Sequence, residues 1–319
     1  MQQRRLGRTD LSIAPVVFGG NVCGWTTDAK TAFDLLDRFV GAGLNAIDTA
    51  DVYSRWAPGN VGGESETIIG AWLKARGKRN EVTIVTKVGS PMTESAKRDL
   101  SAPYIERAVE ASLKRLGVET IDLYLSHWPD DSTSHAETLG AYQRLIAKGK
   151  IRWCGASNFS AGQLRDALGA SRAQGLPRYE VLQPEYNLYD RSGFEGALRD
   201  LCVAEEIGVI TYYSLAKGFL AGKYRTAADL GQSPRGGGVS GYLNPRGLRI
   251  VDALAAVAER HAAKSAEVAL AWLIAQPGVT APIASATTPT QVDSLIRAAS
   301  LALSADDLAA LDLAAAPAA

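Results

Sequence analysis

The sequence predicts an α/β protein folded as a closed (β/α)8 TIM barrel, with an N-terminal β-hairpin floor and long loops at the C-terminal face. Three observations predict it. Short apolar or β-branched runs recur eight times, and most are followed by a stretch of helical periodicity. The spacing from first to last run averages about 38 residues per unit, the size of a βα repeat with some insertions. The first βα turn reads Phe18-Gly19-Gly20-Asn21, which is not the glycine-rich fingerprint an open doubly wound sheet would want there. Residues 1–319 are therefore read as one barrel domain.

The elements follow in order. Residues 4–15 (RRLGRTDLSIAP) are expected to form a small hairpin closing the barrel floor. Strands are predicted at 16–19, 45–48, 82–86, 121–125, 151–156, 181–184, 208–213 and 280–284. Helices are predicted over 28–43, 65–77, 102–117, 136–149, 160–175 and 193–208, several opening on Ser or Asp and closing on Gly, as capping requires. Two regions break the rhythm: 54–63 (SRWAPGNVGG), and 223–247, a Gly- and Pro-rich insertion too long to be a connector. Both fall on the C-terminal rim, where either can form a lid or substrate wall or be a plain surface loop.

Composition narrows the function classes. Hydrophobic content of 46% and charged content of 21% suit a soluble globular protein. Lys+Arg and Asp+Glu both total 34, so nothing electrostatic points to nucleic acid or an acidic membrane surface. The N-terminus lacks an apolar signal-type stretch and no run approaches a membrane span, so a cytoplasmic location is expected. Cys23, Cys154 and Cys202 are few and scattered, as reduced thiols would be. With three histidines and no Cys/His zinc spacing, no metal site is expected.

The strand ends carry the chemistry. Asp48 and Tyr53 follow the second strand, Lys87 the third and His127 the fourth. Consecutive parallel strands share one rim, so these four groups converge there. A free phenol, with a pKa of about 10, is a reluctant acid at neutral pH. Lys87 beside Tyr53 is expected to lower that value, with Asp48 holding Lys87 charged and His127 donating to the substrate oxygen. Singly, each residue is open to a structural reading as cap, rim aromatic, snorkelling lysine or core histidine; together at adjacent strand ends they make a proton-delivery site for a carbonyl. Later strand ends offer a cofactor site. Ser157, Asn158 and Gln183 suit a carboxamide, and Tyr213 offers a flat face for a nicotinamide ring. Backbone N–H groups and a lysine in 214–218 suit a pyrophosphate.

On these residues the chain resembles the aldo-keto reductase superfamily. The matching stretches, in order over roughly residues 4–300, are LGRTDLSIAPVVFGG, AIDTADVYS, GGESETIIGAWLK, TKVG, IDLYLSHWPD, GKIRWCGASNFS, LQPEYNLYDR and YYSLAKGFLAGKY. The resemblance implies an oxidoreductase passing hydride between a nicotinamide dinucleotide and a carbonyl or alcohol, with Asp48, Tyr53, Lys87 and His127 as catalytic tetrad. It implies that Ser157, Asn158 and Gln183 contact the carboxamide and that Tyr213 stacks on the ring. Ser214, Leu215, Lys217 and Gly218 would follow the phosphates, and Ser285 and Gln291 the adenosine side. NADP(H) is the cofactor the resemblance favours, with NAD(H) or dual use as the rival. The segment 285–291 holds no Lys or Arg, and the first basic residue beyond it is Arg297. Trp25, Trp56 and Trp128 are the expected substrate contacts. Two alternatives stand beside this one: an NAD-dependent sugar or alcohol dehydrogenase, and a cofactor-sensing subunit resembling potassium-channel beta subunits. The expected partner is a small carbonyl or alcohol substrate, in a monomer or homo-oligomer.

Overall fold

The computed structural model describes residues 2–233 and 236–316. Strands β1 (Arg4–Arg5) and β2 (Ser12–Ile13) pair antiparallel, as the hairpin reading expects. Then come β3 (Val17–Gly19), α1 (Ala29–Gly41), β4 (Ala46–Asp48), α2 (Glu64–Arg76), β5 (Thr83–Val88) and α3 (Ala102–Leu116). They are followed by β6 (Ile121–Ser126), α4 (His135–Ala147), β7 (Ile151–Ser157), α5 (Ala161–Gln174), β8 (Val181–Gln183) and α6 (Ala197–Ala204). The last turn of the barrel comprises β9 (Gly208–Thr211), α7 (Pro245–Arg260), α8 (Ser265–Ala275) and β10 (Ala281–Ala284), with α9 (Pro289–Ala298) and α10 (Ala305–Ala315) behind them. Strands β3 to β10 form a closed barrel, every neighbour parallel, shut by β10 against β3 at Ile283–Val17 and Ala284–Phe18.

Side-chain alternation along each strand sorts the barrel into two layers. Val17, Ala46, Val85, Leu123, Leu125, Val181, Ile210 and Ile283 fill the interior, and the hairpin residues Leu6, Leu11 and Ile13 plug it from below. Phe18, Ile47, Ile84, Tyr124, Leu182 and Val209 face out and pack under the helices. Two residues beyond the last interior apolar position, the same parity reaches Asp48 on β4, Lys87 on β5 and His127 after β6. On β7, β8 and after β9 it reaches Ser157, Gln183 and Tyr212. The polar groups of the mouth thus continue the rows that build the core.

The eight barrel strands lie at the expected places, shifted by at most two residues at their ends. Shifts of two residues occur at 82–86, where β5 runs on to Val88, and at 208–213, where β9 stops at Thr211 and Tyr213 turns to a positive φ of 50°. Helix α6 is shorter than the expected 193–208 segment. Helices α7 to α10 have no counterpart among the six expected from the sequence. Helix α8 is apolar on all sides because it lies between α7, α9 and the strands, with Val268 to Leu273 all buried, so it shows no one-sided stripe. Two short 3-10 segments occupy the 223–247 insertion, and its end is already the first turn of α7. Its Pro234 and Arg235 lie outside the described residues. Tyr242 packs on Phe219 and Tyr189 and donates to Asp190 Oδ2 at 2.8 Å. Tyr242 thus fastens the end of the insertion to the segments that follow β8 and β9.

Candidate active site

Lys87 is fully buried, and its ammonium has three N–H donors. Each finds one acceptor at 2.8 Å: Asp48 Oδ2, the Thr49 carbonyl and Tyr53 Oη. Asp48 is 2% exposed and receives Gln183 Nε2 on its other oxygen at 2.8 Å. The Tyr53 hydroxyl donates to Asp48 Oδ2 at 3.3 Å, long for a hydroxyl on a carboxylate, so its proton is loosely aimed. Three of the four expected groups are joined by direct hydrogen bonds. His127 joins through ring contact: its imidazole lies 6.0 Å from the Tyr53 ring centroid and is stacked at 6.1 Å on Trp128.

The electrostatics depart from the sequence expectation in one respect. Burial first, and the Asp48 charge second, push the Tyr53 phenol well above its ordinary range rather than below it. The expected lowering by Lys87 is outweighed because Asp48 sits on the same Oη and favours the neutral phenol. The same burial draws Lys87 below its usual value, against the opposing pull of Asp48. His127 falls well below the ordinary imidazole range through burial, then Lys87 and Arg98. It is therefore neutral at neutral pH. Its Nδ1 is enclosed with no hydrogen-bond partner.

The remaining expected residues are spread around the mouth. Ser157 Oγ donates to the Gln183 carbonyl at 2.8 Å. Asn158 holds a positive φ of 64°, donates to the His127 carbonyl at 2.9 Å and accepts from Tyr212 Oη at 2.6 Å. The Asn158 and Gln183 amides are thus partly spent on the protein itself. Tyr213 leaves its ring 43% exposed, with Lys217 Nζ 5.2 Å from the centroid. Ala216, Lys217 and Gly218 run through consecutive positive φ values, and a Cβ at Gly218 would meet nothing within 4 Å. That open run of backbone beside a lysine and a bare aromatic face has the character a phosphate-bearing nicotinamide cofactor needs. Ser214 Oγ is bound to the Thr211 carbonyl at 3.0 Å, and Leu215 accepts from Gly218 N at 2.8 Å, so both shape the run. Ser285 Oγ donates to Asn21 Oδ1 at 2.5 Å across the barrel seam, and Gln291 Oε1 accepts from Thr287 N at 2.7 Å. Arg297 binds Glu267 at 3.2 Å and the Ala262 carbonyl at 2.6 Å. Trp25 and Trp56 meet edge to face at 5.7 Å, and Trp56 also touches Tyr53.

Sequence reasoning passed over the support beneath this rim. Glu66, fully buried on α2, accepts from Thr86 Oγ1 and Arg115 Nε, both at 2.6 Å, pinning the strand residue before Lys87. Asp51 is 3% exposed, with one oxygen unpartnered, and burial together with the Glu66 charge raises it well above the usual carboxylate range. Glu66 sits inside GGESETIIG, and its position in the first turn of a helix facing a strand end was the available signal. Among the described residues no group of His, Cys, Asp and Glu has the makings of a metal site.

Comparison with known proteins identifies the family. Over nearly their full lengths, the chain is 32% identical to the uncharacterized oxidoreductase YrpG of Bacillus subtilis (98% of this chain, 95% of that one). It is 30% identical to protein tas of Escherichia coli, covering 98% of this chain and 97% of the relative. A protein described as probable voltage-gated potassium channel subunit beta, from Arabidopsis thaliana, is 32% identical over 93% of this chain and 91% of its own. The family model Aldo/keto reductase family matches residues 15–316. With its closed barrel and a rim of this composition, the chain belongs to the aldo/keto reductase family and is an NAD(P)H-dependent oxidoreductase.

Proposed function

We propose that the enzyme reduces a carbonyl to an alcohol, and runs the reverse oxidation, with Tyr53 as general acid and base. The observation that supports this most is the saturation of Lys87 Nζ by Asp48, Thr49 and Tyr53. The neutral phenol carries its proton at neutral pH, and the loose 3.3 Å bond to Asp48 lets that proton swing toward a substrate oxygen. As it leaves, the Lys87 ammonium already bonded to Oη stabilises the phenolate. Asp48, braced by Gln183, keeps the ammonium charged against burial. Neutral His127 donates from its ring N–H to the same substrate oxygen.

The nicotinamide supplies or accepts the hydride on carbon when bound. Ser157, Asn158 and Gln183 would hold its carboxamide with the capacity their internal bonds leave, Tyr213 its ring, and Ser214, Leu215, Lys217 and Gly218 its phosphates. Ser285 and Gln291 would border the adenosine. A 2′-phosphate normally recruits an arginine, and Arg297 is bound to Glu267 and to backbone carbonyls. NAD(H) is therefore accepted alongside NADP(H), held to within about tenfold of it. Titrating the protein with NADH and NADPH while following tryptophan fluorescence measures both affinities; a preference for NADPH of a hundredfold would overturn dual use. Tyr53→Phe lowers turnover on an aldehyde panel by at least ~100-fold with cofactor affinity kept. Near-normal turnover in that variant would remove Tyr53 from its role. The channel-subunit relative supports a second reading, a cofactor-sensing subunit. Negligible wild-type turnover together with a co-purifying partner chain would favour it.

A further inference from the structure

Two guanidinium groups on the catalytic rim have no carboxylate partner among the described residues. Arg98 lies on the loop between β5 and α3, its guanidinium carbon 4.6 Å from the Trp128 ring centroid. Trp128 in turn is stacked on His127. Arg55, two residues past Tyr53, is half-buried with its Nε enclosed and without a hydrogen-bond partner. Elsewhere on the molecule arginines are commonly paired with carboxylates, as Arg79 and Arg152 are with Asp122 on the barrel floor and Arg191 is with Glu195.

Two acids of these loops, Asp99 and Asp130, are engaged with neighbouring backbone and hydroxyl groups. Asp99 Oδ1 accepts from Ser101 N at 2.9 Å. Asp130 accepts from Leu100 N at 3.0 Å and from the hydroxyls of Ser132 and Thr133 at 2.6 and 2.7 Å. These bonds also fasten the Arg98 loop to the loop after β6. Gly89, at φ +95°, lets Leu100 pack back onto the start of the same loop, since a Cβ there would meet Leu100 at 2.5 Å. Arg98 is exposed, yet the residues that follow it are anchored and its head rests on an indole. A guanidinium so placed, planar and with its N–H fork unspent, matches a carboxylate in two parallel hydrogen bonds.

The side of the mouth decides what that carboxylate belongs to. The proposed cofactor residues come from β7, β8, β9 and the segment after β10, whereas Arg55 and Arg98 follow β4 and β5. The anion they would receive is therefore on the substrate. We propose that the enzyme takes a flat carbonyl compound bearing a carboxylate, with Arg98 on Trp128 gripping the carboxylate while the carbonyl oxygen meets Tyr53 and His127. This rests on the reductase reading above and names its substrate class.

The test compares 4-carboxybenzaldehyde with benzaldehyde in wild type, Arg98→Met and Arg98→Lys. Turnover gives kcat/KM, and calorimetric titration of each aldehyde into protein saturated with oxidised cofactor gives affinity independently of turnover. Wild type is expected to favour the carboxylated aldehyde by about tenfold in both measurements, the scale of one charge-assisted contact at a half-open site. The ratio should fall to about one in Arg98→Met and partly recover in Arg98→Lys, which restores charge without the fork. Equal handling of the two aldehydes by wild type would overturn the proposal, as would a preference that survives Arg98→Met. Loss of turnover on both aldehydes, with an Arg98-dependent calorimetric preference intact, would defeat the reductase reading and support the anion pocket. Failure of 4-carboxybenzaldehyde to bind would overturn the anion site itself.

Discussion

His127 shows how burial selects a protonation state that an exposed imidazole would not keep. Its folded value lies well below the ordinary 6.5, whereas in the unfolded chain the ring protonates near that value. Below about pH 6.5 the unfolded state binds a proton that the folded state refuses, so stability is lost as pH falls. His127→Gln should flatten this limb. Chemical denaturation over a pH series from about 5 to 8 measures it, and an unchanged slope in the variant would contradict the assignment. Of the four proposed catalytic residues, Asp48, Lys87 and His127 were legible in the sequence at or just past the end of an apolar run, at the parity that faces the barrel axis, whereas Tyr53 lies in the turn beyond β4. The phenol's direction of shift was not legible, since it turns on Asp48 reaching Tyr53 Oη as well as Lys87. Arg98 was equally silent, lying in a polar loop with nothing periodic to mark it.

Helices α2 and α3 carry the support for Lys87, and their contact depends on one missing side chain. A Cβ at Gly70 would lie 2.3 Å from the Arg115 carbonyl oxygen and 2.7 Å from Leu116 backbone. Gly70→Ala should therefore destabilise by about 1–3 kcal/mol despite alanine's better helix propensity, because the helices must part. Gly169→Ala on α5 meets nothing within 4 Å and should instead stabilise by up to about 1 kcal/mol. Thermal unfolding of the two variants checks the pair, and a gain from both would mean that α2 and α3 have room to spare. Among the helices not read from sequence, α8 is buried all round and α7 follows a long insertion, whereas α9 was passed over although one of its faces is apolar.

At the scale of the molecule, closure of the barrel and plugging of its floor are separate devices. Parallel pairing of β10 with β3 closes the ring, but the interior layer is completed by Leu6, Leu11 and Ile13 from outside it. Leu6 is fully buried there, so Leu6→Ala should cost about 2–5 kcal/mol, read from denaturant unfolding. A cost under ~0.5 kcal/mol, ordinary for a surface change, would show the hairpin to be a loose appendage. The eightfold rhythm of the sequence announced the ring, because each unit repeats the same pattern. The hairpin at the floor was expected from residues 4–15, but not that Leu6, Leu11 and Ile13 would complete the interior layer.

The Asp48 carboxylate is gripped from two distant stretches of chain, by Lys87 on one oxygen and by Gln183 on the other. No fragment ending before residue 183 can assemble that grip. The proposed acid–base centre therefore requires strands from both halves of the ring to have met. In a refolding experiment helicity should return before aldehyde turnover, the lag being the time the two arcs take to find each other. Simultaneous recovery would mean that the arcs close before their helices form.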